Sequence, residues 1–304
     1  MPKVTQLKTA RELAEKHNLS GPCLREAMPY LNAFADKRMV LKIGGSVLND
    51  LKLLPHLIDD VVFMKKVGID VVLVHGGSRH MNRAMQARGL TPEYIDGLRV
   101  TSKEVLGIAA DCFFKISLMI KTEIEKRGLR SVIFDGHSGL VRATIKDKKL
   151  GYVGVPEYVD VDKLNSLAKN TIPVVSAITS GMNPDDPGFN VNADSVAGII
   201  ASSIRAEKLI LMTDVDGVLD DHDHLIPSLT VSEVEQLIEI ETIKGGMIPK
   251  VATCLSALRG GTRKCHIIRG SVNSFIDEIL TDQGVGTEFI HGDSEDSSAA
   301  IEAS

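Results

Sequence analysis

The sequence predicts an α/β fold in which helices cover both faces of a mainly parallel sheet. Two observations carry this prediction. Short apolar segments alternate along the chain with longer segments of helical periodicity. Each short segment is apolar at successive positions, which indicates strands that are buried on both faces. The chain has 304 residues, enough to bury such a core as one large domain or as two lobes.

The predicted strands are short runs rich in valine, isoleucine and leucine. In chain order they are Met39–Ile43, Val71–Val74, Ser131–Phe134, Ile172–Ala177, Lys208–Thr213 and His266–Ile268. A hairpin is predicted from Val141 to Tyr152, because the polar turn Lys146-Asp147-Lys148 separates two apolar stretches.

The predicted helices have apolar residues three and four positions apart, which places those residues on one helical face. They are Leu53–Val67, a segment that ends near 88, Ser102–Lys126, Val161–Lys169, Ala193–Ile204, Met247–Leu258 and Asn273–Leu280. Gly284-Val285-Gly286 has the GxG form, but no helix is predicted after it.

Residues 4–35 also read as helix and precede the first strand, so we treat residues 1–36 as an N-terminal helical arm. Its apolar stripe consists of Leu24, Ala27, Leu31 and Phe34. Pro29 lies inside the pattern and is predicted to kink or break the helix. The stripe must be buried against a partner subunit or against its own domain, and the sequence favours neither.

Composition excludes several classes of function. Hydrophobic residues make up 43% and charged residues 25% of the chain, as in an ordinary globular protein. The net charge of -5 argues against nucleic-acid binding. No apolar run reaches the roughly 18 residues of a membrane helix, and the N-terminus lacks the apolar core of a signal peptide. The four cysteines have no CxxC spacing, so we expect free thiols in a reducing cytoplasm.

Loops that contain glycine follow the predicted strands at the edge where a parallel sheet binds ligands. Gly44-Gly45 follows the first strand, Gly76-Gly77 the second, and Asp216-Gly217 lies beyond a strand of the second half. Glycines let backbone N–H groups approach an anion closely. A tight turn explains any one of these loops equally well, but three loops and Gly245-Gly246 together favour an anion site. Neither GxxxxGK[ST] nor a GxGxxG after a strand is present, so a nucleotide would be held another way.

Two lysines beside glycine loops and one aspartate indicate phosphoryl transfer. Lys42 lies just before the first glycine pair, Lys250 lies just after the last, and Asp194 opens a predicted helix. A phosphoryl group in transfer needs positive charge around it and little else from the protein. The lysines would supply this charge. An aspartate between them would hold them in position, so we expect Asp194 to stand between Lys42 and Lys250.

Other polar side chains are candidates for ligand binding. Arg99 could clamp a carboxylate through two hydrogen bonds, or it could form a surface salt bridge. Asn190 and Asn192 could bind a ligand or cap the helix that follows. His222 and His224 lie in a charged turn whose spacing implies no metal geometry, so no protein-ligated metal is predicted.

Together these motifs resemble the amino acid kinase family and, within it, the acetylglutamate kinases. The resemblance covers about residues 24–290. Its motifs are Lys42-Ile43-Gly44-Gly45, His75-Gly76-Gly77, Gly97-Leu98-Arg99-Val100-Thr101, Asn190-Val191-Asn192-Ala193-Asp194, Thr213-Asp214-Val215-Asp216-Gly217-Val218 and Gly246-Met247-Ile248-Pro249-Lys250. It implies a three-layer αβα sandwich with an amino-acid lobe at 37–204 and a nucleotide lobe at 205–291. The small polar tail, 292–304, is expected to be disordered.

The resemblance also implies a reaction and a role for each motif. ATP with Mg2+ would phosphorylate the side-chain carboxylate of N-acetyl-L-glutamate, in arginine biosynthesis. Lys42 and Lys250 would stabilise the transition state, and Asp194 would organise them. The acceptor-binding residues would be Gly76, Gly77, Arg99, Asn190 and Asn192. The nucleotide-binding residues would be Gly44, Gly45, Asp214, Val215, Asp216, Gly217, Val218, Leu219, Gly245, Gly246 and Met247. A carboxylate acceptor is already ionised at neutral pH, so no general base is expected.

The arm and the C-terminal region add a resemblance to arginine-inhibited members of the family. Leu24–Leu31 resembles their kinked N-terminal helix, and Thr281–Thr287 resembles their arginine-site segment. This implies a hexamer made of three dimers, with L-arginine as an inhibitor. Ser78 stands where the family often has a third glycine, which leaves the acceptor open. Acetylaminoadipate, which is longer by one methylene, remains an alternative acceptor, because one methylene contributes only about 1–3 kcal/mol to discrimination between substrates. A non-catalytic arginine-binding module remains an alternative function.

Overall fold

The computed structural model describes residues 21–50, 52–183, 185–281 and 284–292. Its strands form one large sheet and two small ones. They are β1 Arg38–Ile43, β2 Asp70–His75, β3 Tyr94–Ile95, β4 Leu98–Arg99, β5 Arg130–Phe134, β6 Val141–Ile145, β7 Gly154–Val159, β8 Thr171–Ser176, β9 Ile178–Gly181, β10 Phe189–Asn190, β11 Lys208–Thr213, β12 Ser228–Thr230, β13 Lys264–Arg269 and β14 Gly286–Ile290.

The helices lie between these strands, as an alternating pattern requires. They are α1 Gly21–Phe34, α2 Gly45–Asn49, α3 Leu53–Lys66, α4 Ser78–Gln86, α5 Lys103–Lys126, α6 Val161–Asn165, α7 Ala193–Ser203, α8 Val231–Glu239, α9 Ile248–Arg259 and α10 Ser274–Leu280. Two short 3-10 turns, Lys148–Leu150 and Gly245–Met247, complete the described elements. Among the helices of these residues, we find none with the length and apolar character that crossing a membrane requires.

The central sheet has eight strands in the order β12-β14-β13-β11-β1-β2-β8-β5. Every neighbouring pair is parallel except β13 and β14, which are antiparallel. The inner strands β1, β2, β8 and β11 consist almost entirely of buried residues. Burial on both faces accounts for their continuous apolar sequences. The predicted α/β class with a mainly parallel sheet is confirmed.

Helices cover the sheet in two groups. Helices α7 and α9 pack against each other and against β1, β11 and β13. Helices α3, α4 and α5 form the second group, which packs on β2, β5 and β8. One extended set of buried aliphatic and aromatic side chains fills the space on both sides of the sheet. The result is the three-layer αβα sandwich that the resemblance implied.

The register of the sheet determines which loops meet. Ile43 at the end of β1 pairs with His75 at the end of β2, and Lys42 pairs with Leu211 of β11. The loops after β1, β2 and β11 therefore leave the sheet side by side at its carboxyl edge. This is the edge at which ligands bind in open parallel sheets.

Pro29 does not break the helix of the arm within the described residues. Helix α1 continues through this residue from Gly21 to Phe34, so of the two predicted outcomes the break is wrong and the kink stays a prediction. Ala27, Leu31 and Phe34 pack against the chain's own hydrophobic core. Residues 1–20 lie outside the described residues, as do residues 293–304 of the tail predicted at 292–304 and Asp282-Gln283 of the predicted arginine-site segment.

Several elements were not predicted. The largest is helix α8, whose N-terminus carries a capping box in which Thr230 and Glu233 bond each other's backbone N–H groups. The four-stranded sheet β10-β9-β6-β7 contains an antiparallel hairpin of β6 and β7. The predicted hairpin starts at the right residue, but its predicted end at Tyr152 is wrong, because the 3-10 turn Lys148–Leu150 lengthens the connection and β7 begins at Gly154. The chain after Gly284-Val285 forms β14, in agreement with the expectation that no helix follows.

Candidate active site

Lys42, Asp194 and Lys250 meet at the carboxyl edge of the central sheet. The Nζ atom of Lys42 lies 2.8 Å from one carboxylate oxygen of Asp194, and Nζ of Lys250 lies 3.7 Å from the other. Lys42 comes from β1, Asp194 from the first turn of α7, and Lys250 from the first turn of α9. Three distant parts of the sequence thus form one cluster.

Asp194 is nearly fully buried between the two lysines. Burial by itself would raise the pKa of the carboxyl group, but the charges of Lys42 and Lys250 outweigh burial. The net effect holds the pKa of Asp194 below its ordinary value. Its position in the first turn of α7 also favours a negative charge, because the helix N-terminus is electropositive. Asp194 is therefore an anion that holds two ammonium groups on either side of itself.

The loop after β1 needs glycine for a steric reason. A Cβ atom added to Gly44 would collide with the backbone carbonyl of Met212 at the end of β11. The bare backbone lets the turn between β1 and α2 lie directly against the neighbouring strand. This close approach brings the loop that follows Lys42 next to Thr213 and Asp214, and all of these residues border one cavity.

That cavity has a volume of about 380 Å³, and all eight predicted acceptor-binding and catalytic residues border it. It is bordered by Lys42, Gly44, Gly45, Gly76, Gly77, Arg99, Asn190, Asn192, Asp194, Asp214 and Lys250. Its charged residues are four cations, Lys42, Arg79, Arg99 and Lys250, and two anions, Asp194 and Asp214. The excess of positive charge suits a ligand with several negative charges.

Arg99 is buried on the two-stranded hairpin of β3 and β4 and borders the cavity. Its guanidinium donates to the hydroxyl of Tyr94 at 2.6 Å and to the side chain of Asn82. It also lies 4.8 Å from the centre of the Tyr94 ring. The arginine thus belongs to an ordered polar cluster, and no surface salt bridge of the kind weighed as the alternative is seen among the described residues.

The two asparagines of the central motif have different surroundings. The side-chain oxygen of Asn192 accepts a hydrogen bond from the Asp194 N–H at 2.8 Å, so Asn192 caps α7. The amide of Asn190 donates to the hydroxyl of Thr101 at 3.2 Å, next to the Arg99 hairpin. Of the two alternatives left open, Asn192 takes the capping one, although both residues border the cavity.

Much of the predicted nucleotide segment lies outside this cavity. Val215, Asp216, Gly217, Val218, Leu219, Gly245, Gly246 and Met247 do not border it. Asp216 instead pairs with Arg269, and the Val218 N–H donates to the Thr287 hydroxyl at 2.8 Å. These contacts give part of the segment a structural task, and its role toward a nucleotide stays a prediction.

The structure adds residues that the sequence reasoning missed. Arg79 lies in the first turn of α4, across the cavity from Asp214, with 4.0 Å between the charged groups. Tyr94 and Phe113 also border the cavity. The available signal for Arg79 was its position two residues after Gly76-Gly77, at the start of a helix that begins at the ligand-binding edge.

A resident metal has few candidate ligands in this part of the chain. Among the residues described by the structure, no three or more side chains of His, Cys, Asp or Glu are arranged to hold an ion. Of the two carboxylates that border the cavity, Asp194 is held between the lysines, and Asp214 lies 4.0 Å from the guanidinium of Arg79. A magnesium ion would therefore depend mainly on oxygen ligands brought by a phosphate-bearing ligand.

Comparison with known proteins decides the family. Residues 37–269 match the model of the amino acid kinase family. The chain belongs to the amino acid kinase family. Within this family, the acetylglutamate kinase of Alkaliphilus metalliredigens is 39% identical over 282 residues, covering 90% of this chain and 89% of the relative. The acetylglutamate kinase of Methanocaldococcus jannaschii is 41% identical over 295 residues, covering 91% and 96%. The family resemblance of the motifs is confirmed.

Solved structures agree with this membership of the amino acid kinase family. An N-acetylglutamate synthase from Neisseria gonorrhoeae, in complex with coenzyme A and N-acetyl-glutamate, has a TM-score of 0.79 at 25% identity. The match covers 92% of this chain and 68% of the synthase. A carbamate kinase from Giardia lamblia bound to AMP-PNP has a TM-score of 0.65 at 14% identity, covering 85% and 99%. The carbamate kinase likeness supports the fold alone.

Proposed function

We propose that this protein transfers the γ-phosphoryl group of ATP to the side-chain carboxylate of N-acetyl-L-glutamate, a step of arginine biosynthesis. One observation carries the proposal. A buried aspartate holds two lysines at the carboxyl edge of the sheet, in a chain whose named relatives are acetylglutamate kinases. The excess positive charge of the cavity fits the combined negative charge of a nucleotide and a dicarboxylate.

The chemistry assigned to the residues is electrostatic. A carboxylate oxygen of the acceptor attacks the γ-phosphorus, the bond from phosphorus to the β,γ-bridging oxygen breaks, and ADP leaves with that oxygen. Negative charge moves toward the leaving oxygen during this step. Lys42 and Lys250 offset the charge, and Asp194 keeps both ammonium groups fixed. Magnesium bound to the nucleotide phosphates would neutralise part of their charge.

The acceptor is proposed to bind at the end of the cavity that contains Arg99. The guanidinium there is ordered by Asn82 and Tyr94, which suits recognition of a carboxylate remote from the reacting one. Gly76, Gly77 and Asn190 border the space between Arg99 and the lysines. The nucleotide would occupy the opposite side, past Gly44-Gly45 and Asp214, and continue toward the segment from Val215 to Met247.

An acceptor panel tests the proposal. ADP formation is measured with acetylglutamate, acetylaminoadipate, glutamate and aspartate at matched concentrations. We expect acetylglutamate to give the highest kcat/KM. A higher kcat/KM with acetylaminoadipate would transfer the proposal to that longer acceptor. If none of the four acceptors stimulates ADP formation, the kinase proposal is wrong and a non-catalytic binding module replaces it.

We also propose that L-arginine binds a second cavity, beside helix α1. This cavity has a volume of about 480 Å³ and is bordered by Tyr30, Phe34, Lys208, His266, Glu278 and Glu288. Glu278 lies 2.5 Å from His266, and both are buried. Burial alone would raise the pKa of Glu278, but the hydrogen bond with His266 and neighbouring charges lower it by more. The pKa of Glu278 is therefore below its ordinary value, and the group is an anion at neutral pH. Lys208 stands 5.2 Å from the Phe34 ring centre.

This cavity is bordered by three carboxylates, Glu207, Glu278 and Glu288, and by three cations, Lys208, Arg263 and Lys264. It therefore offers partners both to a cationic side chain and to the carboxylate of an amino acid. Arginine could place its guanidinium on Glu278 or Glu288 and its carboxylate on Lys208. A second structure of the Neisseria synthase contains L-arginine, which is a finding about that protein. We expect Glu278→Gln to weaken inhibition by arginine, with activity in its absence retained. Unchanged inhibition in this variant would place arginine elsewhere.

The proposed assembly is a hexamer made of three dimers. Strand β5 is one of the two edges of the central sheet, the other being β12, and Val132 on β5 is exposed. Helix α5 packs beside β5 and exposes Phe114 and Leu118. This apolar patch at an open edge is proposed as the dimer contact, and the N-terminal arm as the contact between dimers.

Two variants separate these contacts. Phe114→Glu should yield monomers or arm-linked species in light scattering, because a charge would be buried at the dimer contact. Deletion of residues 1–30 should yield an active dimer with weakened arginine sensitivity. A full-length protein that is itself a dimer would remove the ring from the proposal. We also propose a cytoplasmic location, where ATP is available and the unpaired Cys112, Cys254 and Cys265 would stay reduced.

A further inference from the structure

His75 ends strand β2, directly before the glycine pair that borders the active-site cavity. Its ring is fully buried. Nδ1 lies 2.9 Å from the carbonyl oxygen of Gly76, and Nε2 lies 2.7 Å from the hydroxyl of Ser117 on helix α5. One ring nitrogen is therefore engaged by the glycine loop, and the other by the helix beneath it.

These two partners select one tautomer of the ring. A carbonyl oxygen can only accept a hydrogen bond, so Nδ1 carries the proton and donates to Gly76. Nε2 then accepts from the hydroxyl of Ser117. Burial is the main influence that lowers the pKa of His75 to about 4, and the ring is neutral at pH 7. A neutral ring with a fixed tautomer is a rigid connection between α5 and the loop.

The bond to Gly76 sets the direction of one peptide group. The C=O of Gly76 and the N–H of Gly77 belong to the same peptide, which is trans, so they point in opposite directions. The carbonyl is held toward the buried His75 ring. The N–H of Gly77 is consequently directed to the other side of the loop, where Gly76 and Gly77 border the cavity with Lys42 and Asp194.

Packing against α5 explains why the loop stays close to the helix, but not which way this peptide faces. A Cβ atom added to Gly77 would come within 2.5 Å of Phe113 and 2.8 Å of Ile116. The Phe113 ring also meets the His75 ring edge to face, with 6.3 Å between their centres. These apolar contacts have no polar direction. The hydrogen bonds of His75 are the described contacts that distinguish the two faces of the peptide.

We propose that His75 and Ser117 are positioning residues that turn the Gly77 N–H toward the reacting carboxylate of the acceptor. The inference rests on the proposed function, which supplies that carboxylate. An N–H that donates to a carboxylate makes a charge-assisted hydrogen bond. A backbone donor that is fixed in advance needs no reorganisation as charge moves during the reaction.

Two substitutions of His75 separate positioning from structural support. His75→Leu removes both polar contacts and keeps an apolar side chain in the buried space. His75→Asn keeps a donor near the Nδ1 position. We expect kcat/KM for acetylglutamate to fall about 10-fold to 100-fold in the Leu variant and much less in the Asn variant, with the KM for ATP unchanged. Urea unfolding of both variants measures the structural cost, because each leaves buried polar atoms without a partner. The loss of kcat/KM in the Leu variant should exceed the loss that its stability alone explains. Activity that follows stability would overturn the proposal.

Substitution of Ser117 provides a graded test with a matched control. Ser117→Ala removes the partner of Nε2 but leaves the bond from Nδ1 to Gly76, so its loss of kcat/KM should be smaller than that of His75→Leu. Ser131 on strand β5 is also buried, and its hydroxyl donates to the backbone carbonyl of Ile172 on β8 at 3.0 Å. Ser131→Ala should leave kcat/KM unchanged. Equal losses in the two serine variants would reduce the effect to general destabilisation and overturn the proposal.

The tautomer can be measured without any substrate. Proton–nitrogen spectra of protein labelled with 15N at its nine histidines, assigned with His75→Asn, should show His75 protonated on Nδ1 alone at pH 7. A proton on Nε2 would overturn the proposal whatever the activity. If the wild-type protein shows the Nδ1 tautomer but phosphorylates no acceptor, the proposed function is wrong and the arrangement of His75 is not.

Discussion

Replacing Asp194 by asparagine probes the centre of the site, because the change removes one charge and little volume. Asp194 contacts Lys42 at 2.8 Å and Lys250 at 3.7 Å. At an effective dielectric constant of about 20, two opposite unit charges 4 Å apart attract each other by about 4 kcal/mol. Removing one member of a buried ion pair costs about 3–5 kcal/mol. We expect the lower end of that range, about 3 kcal/mol, because both lysines keep some access to solvent.

The catalytic effect of Asp194→Asn should exceed its effect on folding. Without the carboxylate, Lys42 and Lys250 repel each other and move away from the transferred group. A displacement of about 1 Å can cost about 100-fold in rate, so we expect kcat to fall by about that factor or more. Steady-state kinetics and urea unfolding of the same preparation measure the two effects. A folded variant with the wild-type kcat would refute the idea that Asp194 organises the lysines.

Three further substitutions test other parts of the account. Lys250→Met should lower kcat about 1000-fold, as for a cation on a transferred phosphoryl group, whereas Lys126→Met at the exposed end of α5 should not; similar rates in both variants would argue against the role of Lys250. Arg99→Lys keeps the charge but loses the two parallel N–H donors of the guanidinium, so the KM for acetylglutamate should rise about 10-fold. A shift in the KM for ATP instead would contradict the assignment of Arg99 to the acceptor. Asp60 is buried, and burial, followed by the charge of Asp277, raises its pKa to about 7. A raised carboxyl pKa favours the folded state at low pH, and this contribution is lost as pH rises toward 8. Asn does not ionise, so the unfolding free energy of Asp60→Asn, relative to that of the wild type, should rise by about 2 kcal/mol between pH 5.5 and pH 8. Urea titrations of both proteins at the two pH values measure this difference, and no rise would contradict the assignment.

The central sheet was predictable because its inner strands are buried on both faces. Val71–Val74 and Lys208–Thr213 have continuous apolar sequences that a half-exposed strand would not show. The meeting of Lys42 with Asp194 followed from the rule that parallel strands present their following loops at one edge. These predictions depend on local pattern and on the general geometry of parallel sheets.

Other features depend on contacts that the sequence does not display. Arg79 enters the cavity because α4 begins beside the loop after β11, and its pairing with Asp214 joins residues far apart in the chain. The continuation of α1 through Pro29 reflects packing of the helix against the core, which outweighs the local preference of proline. Helix α8 is a different case, since Thr230 and Glu233 have the spacing of a capping box and could have indicated its start.

The central claim is that the acceptor is phosphorylated on a carboxylate, and the product itself tests this claim. An acyl phosphate reacts with hydroxylamine to give a hydroxamate, so ATP, acetylglutamate and the enzyme are incubated with hydroxylamine, and ADP and hydroxamate are measured together. We expect one hydroxamate for each ADP with the wild-type protein, and about 1000-fold slower formation of both products with a folded Lys250→Met variant. ADP formed without hydroxamate would contradict the central claim.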